Sequence, residues 1–71
     1  MDLSKKIGNR IKEFRKERNL TMEKLAYESD ISKGGLSEIE RGIKEARLST
    51  LLKITDGLGI KLKDFFNTEE F

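Results

Sequence analysis

Polar side chains between positions 32 and 41 carry the chemistry that this sequence offers. Lysine can donate to O6 and N7 of guanine in the major groove of DNA, glutamate can accept from N4 of cytosine, and serine can do either. The residues of this kind are Ser32, Lys33, Ser37, Glu38 and Arg41. Lys33 also suits a phosphate contact or a solvated position, and Glu38 also suits a surface pair with a basic residue. The pattern favours hydrogen bonding to a nucleic acid over a bond-making reaction.

Residues typical of catalysis or metal binding are missing from the sequence. There is no His and no Cys, so a zinc site, a disulfide and a Cys–His nucleophile are excluded. No pattern pairs a serine with an activating base. We therefore expect no enzyme activity, no cofactor, no metal and no small-molecule ligand. Neither a signal-peptide core near Met1 nor an apolar run of membrane-spanning length occurs, which favours a cytoplasmic protein.

The spacing of apolar residues predicts an all-α fold of five helices in one domain over residues 1–71. The first helix has the stripe Leu3, Ile7, Ile11 and Phe14, and the fourth has Leu51, Leu52, Thr55 and Leu58. The predicted helices run from about Leu3 to Arg18, Met22 to Ser29, the N-cap Ser32 to Arg41, Ser49 to Leu58, and Leu62 to Phe66. We expect the tail Asn67–Phe71 to be frayed.

The second and third helices are joined by a turn so short that they form a helix-turn-helix over about residues 22–42. Ala26 is small where we expect the two helices to cross, and Ile31 fills the corner between them. Leu36 and Ile39 would hold the third helix on the core, which turns Ser32, Lys33, Gly34, Ser37, Glu38 and Arg41 toward solvent. A helix presented in this way fits the major groove of DNA.

The distribution of charge is uneven although the net charge is only +2, from 15 basic and 13 acidic residues. Residues 5–18 are strongly basic, whereas the last eight residues are acidic. Most basic residues of the first helix should be solvated. Arg10 is the one that we expect to contact a DNA phosphate.

These motifs resemble those of the Cro/CI/XRE-type helix-turn-helix regulators over nearly the whole chain. The resemblance is carried by IGNRIKEFRKERNLT from Ile7, LA at Leu25, IERG at Ile39 and LSTLLKI from Leu48. It implies a compact, lambda-repressor-like DNA-binding domain. It also implies an ion pair between Arg15 and Glu40. Where the family often has Gln, this chain has Met22, which cannot bridge a phosphate and a base.

The resemblance also implies which residues contact DNA. Base contacts are expected from the third helix, at Ser32, Lys33, Gly34, Ser37 and Glu38. Phosphate contacts are expected from the backbone of Thr21 and Met22 and from the side chains of Arg41, Lys44 and Arg47. The pair Gly34–Gly35 is unusual in a recognition helix. It either lets the backbone approach DNA closely or is a tolerated weakness.

A homodimer is expected because one helix reads too few base pairs for a specific site. We predict a sequence-specific transcriptional regulator that binds double-stranded DNA at an inverted repeat, as a Cro-like repressor or a restriction-modification controller. The dimer contact is predicted at Ile60, Leu62, Phe65 and Phe66, and core packing is the alternative for one of the C-terminal phenylalanines. The alternative is an antitoxin-type protein whose main role is to bind a toxin.

Overall fold

Five α-helices build the protein in a computed structural model that describes residues 2–71. They are α1 (Leu3–Glu17), α2 (Met22–Glu28), α3 (Lys33–Glu40), α4 (Leu48–Leu58) and α5 (Leu62–Phe65). This order confirms the predicted all-α fold, with helix ends within one residue of those expected. None of these helices has both the length and the apolar character needed to cross a bilayer.

Side-chain caps and left-handed residues define the ends of the first three helices. The side chains of Asp2, Thr21 and Ser32 accept hydrogen bonds from backbone N–H groups in the first turns of α1, α2 and α3, which satisfies donors that the helix leaves free. Asn19 and Asp30 have φ values of 55° and 56°, a region that Asn and Asp tolerate better than most residues. They reverse the chain after α1 and α2.

The core lies between all five helices and, within residues 2–71, contains nine buried apolar residues. They are Ile11, Leu25, Ala26, Leu36, Ile39, Leu51, Ile54, Leu58 and Phe65. The predicted stripe of α4 is wrong at one position, because Leu52 is 45% exposed whereas Ile54 is fully buried. Positions 51, 54, 55 and 58 share one face of the helix, and position 52 lies beside that face.

Two glycines allow helix backbones to approach each other closely. A Cβ on Gly8 would collide with the carbonyl oxygen of Ile39, so α1 and α3 touch through their backbones. A Cβ on Gly57 would similarly collide with Ser29 at the end of α2. These contacts fix α3 against α1 and α4 against α2.

The C-terminal residues fold back on the protein, so the expectation of a frayed tail is wrong. The Phe71 ring lies 4.9 Å from that of Phe66 and 6.3 Å from that of Phe65. The Lys6 ammonium donates to the carbonyl of Glu70 at 2.9 Å. Aromatic packing therefore holds the tail against α5, close to α1.

Candidate nucleic-acid interface

The turn between α2 and α3 has the geometry of a helix-turn-helix. Ala26 is 3% exposed, and its carbonyl accepts a hydrogen bond from the N–H of Ile31 at 3.0 Å. Leu36 and Ile39 bury one side of α3 in the core. The opposite side of α3 is therefore presented outward on a rigid support.

The predicted base-reading residues lie together on that outward side. Ser32, Lys33, Gly34 and Glu38 are exposed, and Ser37 is half-buried. The Ser32 hydroxyl accepts from the Gly35 N–H at 3.0 Å, which leaves its own O–H free to donate. The structure thus brings these five residues into one surface, formed by the first two turns of α3.

Gly34 is the most open position on this surface. A Cβ built on Gly34 meets no other atom within 4 Å, whereas one on Gly35 lies 3.0 Å from the Ser32 hydroxyl. Internal packing therefore gives no reason for a glycine at position 34. The helix backbone is therefore uncovered at this position of the outward surface.

The predicted phosphate-binding residues flank this surface on two sides. Thr21 caps α2 through its side-chain oxygen, and the half-buried Met22 side chain packs on the core. Arg41, Lys44 and Arg47 are exposed beyond the other end of α3. Lys44 and Arg47 also line a cleft that reaches Ser32. The arrangement offers helix N–H groups on one side and cationic side chains on the other.

The Arg10 guanidinium makes contacts within the protein that the sequence did not predict. Its Nε donates to the carbonyl of Phe65 at 2.8 Å and its Nη2 to that of Asp64 at 3.3 Å. The guanidinium also lies 4.5 Å from the centre of the Phe14 ring, a cation–π contact. Arg10 therefore fastens the C-terminal end of α5 to α1, and its contact with a DNA phosphate stays a prediction.

Arg15 and Glu40 form a two-point ion pair that ties α3 to α1. Arg15 Nε and Nη2 donate to the two Glu40 carboxylate oxygens at 2.7 and 3.0 Å, and Nη1 donates to the carbonyl of Leu20 at 2.9 Å. The Glu40 side chain is fully buried and that of Arg15 is 11% exposed. The hydrogen bond to Glu40 raises the pKa of Arg15 above its ordinary value. Each charge is thus satisfied only while the other is present.

Phe65 corrects the predicted dimer contact, because its side chain is fully buried in this protomer. It stacks beside Phe14 with 6.1 Å between ring centres and cannot reach a partner. Ile60 and Leu62 are half-buried, and Phe66 is 37% exposed. Phe65 and Phe66 are adjacent at the end of a short helix, so the sequence could not show which of them faces inward.

Three residues that the sequence analysis did not assign to the surface add to the surface chemistry. Glu23, on the first turn of α2, pairs with Lys33 on α3, with 3.5 Å between Nζ and Oε2. Leu48 and Leu52 are 63% and 45% exposed and lie one turn apart on α4. The sequence did not show which leucines of α4 would stay exposed. It gave no signal for Glu23 because the lysine that pairs with it belongs to another helix.

Comparisons with known proteins agree with this geometry, which defines a helix-turn-helix protein. Residues 11–65 match the family described as helix-turn-helix. Control protein C.MunI of Mycoplasma sp is 37% identical over 70 residues, which cover 97% of this chain and 95% of that protein. The immunity repressor protein of Bacillus phage phi105 is 40% identical over 63 residues, but these cover only 44% of its length.

A solved structure extends the likeness to three dimensions. The wild-type restriction-modification controller protein C.Esp1396I superposes with a TM-score of 0.88 at 33% identity, over 93% of this chain and 85% of that one. The chain belongs to the Cro/CI-type helix-turn-helix family of DNA-binding transcriptional regulators. This membership confirms the resemblance predicted from the sequence.

Proposed function

We propose that this protein is a regulator of the restriction-modification controller type, which binds an inverted-repeat operator as a homodimer. The observation that carries the proposal is the outward face of α3, held rigidly by the core and by the Arg15–Glu40 pair. The almost complete coverage of both this chain and C.MunI supports the controller type.

In the proposed complex, the first two turns of α3 enter the major groove. Lys33 and Glu38 contact base edges, with Ser32 and Ser37 as adaptable hydrogen-bonding groups. Gly34 lets the helix backbone come close to the floor of the groove. The side chains thus read sequence while the backbone sets the depth of insertion.

Phosphate contacts hold α3 in register on both sides of the groove. The N-terminus of α2, at Thr21 and Met22, presents free N–H groups to one strand. Arg41, Lys44 and Arg47 contact the other strand with their exposed cationic side chains. These contacts supply affinity without sequence information.

The dimer surface combines the outer edge of α4 with the α4–α5 connection and the end of α5. The proposed contact includes Ile60, Leu62 and Phe66, the predicted residues that are not fully buried, and Leu48 and Leu52 add exposed apolar area. A second copy is the occupant that fits, because both signs of charge border the surface. These border residues are Lys53, Asp56, Lys63 and Asp64, all exposed. A two-fold contact places each surface against an identical surface. Side chains of both charges are therefore needed for opposite charges to meet.

Binding-site selection from random duplex DNA tests this proposal, with light scattering on the selected complex. The expected result is an inverted repeat whose half-sites lie about one helical turn apart, bound by two chains. A single unrepeated site bound by one chain, or no selected sequence, contradicts it.

A phage-type repressor is the second candidate, favoured by the 40% identity to the phi105 immunity repressor. A reporter driven by a promoter that contains the selected site separates the two. A controller that activates its target raises expression at low protein concentration, whereas a simple repressor only lowers it.

A further inference from the structure

The pair between Glu23 and Lys33 places a negative charge inside the proposed DNA surface. Glu23 is in the first turn of α2, where a phosphate is expected, and Lys33 is the first residue of α3, where a base is expected. Their charged atoms lie 3.5 Å apart, and both side chains are more than half exposed. The pair therefore bridges the two helices at the ends that face DNA.

Stability of the fold gives little reason for this pair. Exposed ion pairs contribute almost nothing on average, in contrast to the buried Arg15–Glu40 pair. The backbone N–H of Glu23 and the charge of Lys33 lower the pKa of the Glu23 carboxyl below its ordinary value, so the group is ionised at neutral pH. An ionised carboxylate next to a DNA phosphate opposes binding.

We propose that Glu23 is a specificity-determining residue, which holds Lys33 away from phosphates and opposes DNA that offers Lys33 no base partner. On a correct half-site, Lys33 donates to a base edge through one of its three ammonium N–H groups and keeps its pair with Glu23 through another. Guanine presents the two acceptors that suit a lysine. On other sequences Lys33 stays paired, its charge is not available to phosphates, and the Glu23 carboxylate faces the backbone. Discrimination then arises from weakened binding to wrong sequences.

Glu23→Gln tests the inference, and Glu28→Gln is its matched control. Glu28 is also an exposed glutamate on α2 paired with a lysine, Lys24, at 3.1 Å, but the pair lies along one helix. Both variants lose one negative charge and one surface pair. Affinity is measured by fluorescence anisotropy for the selected operator and for a scrambled duplex of equal length, at two salt concentrations.

The inference predicts that Glu23→Gln tightens binding to scrambled DNA about threefold per half-site, hence about tenfold for a dimer. Operator affinity changes less, so the ratio between the two falls. The salt dependence on scrambled DNA steepens by about one unit per chain, because Lys33 now contacts phosphate. Glu28→Gln leaves the ratio unchanged. In a Lys33→Met background, Glu23→Gln no longer steepens the salt dependence, because no lysine is released to contact phosphate.

This inference depends on the proposed function, and the outcomes separate the two. If the wild-type protein prefers no duplex over another, both the function and the inference are overturned. If the wild type discriminates but Glu23→Gln keeps its ratio, or changes it no more than Glu28→Gln does, only the inference is overturned. Loss of melting temperature without a change in ratio assigns Glu23 to stabilising the α2 N-terminus.

Discussion

Replacing Gly34 with alanine separates what α3 needs for folding from what it needs for DNA. The added Cβ meets no atom within 4 Å, and the backbone there is helical, so alanine fits without strain. Such a change stabilises by about 0.4–1 kcal/mol, because the unfolded chain loses freedom. For a domain of this size it raises the melting temperature by about 2–8 °C.

The same methyl group is expected to weaken operator binding by at least about tenfold, because it covers the backbone at the place where α3 approaches the groove and overpacks that contact. Gly35→Ala is the internal control. Its Cβ would press on the Ser32 hydroxyl at 3.0 Å, which disturbs the cap of α3 and offsets the stabilisation. Thermal unfolding by circular dichroism and operator titration measure the two effects. If Gly34→Ala binds the operator as tightly as the wild type, the close approach of α3 is refuted.

Four further perturbations address the fold, the DNA contact and the dimer. Glu40→Ala should destabilise by about 3–5 kcal/mol, since Arg15 is left buried without its partner; a neutral effect in thermal melts contradicts the pair. Ser29→Ala should be neutral or stabilising, because the buried Ser29 hydroxyl has no hydrogen-bond partner; a clear loss of stability in denaturant melts opposes this. Arg41→Ala should weaken binding to all sequences alike and reduce the salt slope by about one per chain; an unchanged slope removes it from the phosphate contacts. Phe66→Glu should give a folded monomer by light scattering and circular dichroism; a dimer that persists places the interface elsewhere.

Sequence periodicity predicted the helices well because each one buries a face with helical spacing. It could not decide between neighbouring apolar positions, as Leu52 and Ile54 on α4 show. The sequence equally gave no means of choosing between Phe65 and Phe66. That choice depends on how α5 docks on α1, through the contacts of Arg10 with the end of α5, and such long-range contacts leave no local signature.

Glycine positions also show that long-range contacts cannot be predicted from the local sequence. Gly59 ends α4 in the left-handed region with φ of 75°, and a glycine directly after an apolar stripe is typical of such an end. Gly8 lies inside α1, and only the crossing with α3 explains it. The family resemblance indicated which positions of α3 contact DNA. It did not indicate the intramolecular partners of Arg10 and Lys33.

The attachment of α3 has a consequence for how this protein can change over generations. Leu36, Ile39 and Glu40 fasten the helix, whereas Lys33 and Glu38 point outward. Because the two sets do not overlap, substitutions at Lys33 and Glu38, the proposed base contacts, leave the fastening intact. New operator preferences can therefore arise by drift at outward positions without passing through unstable intermediates, while the fastening positions tolerate little variation.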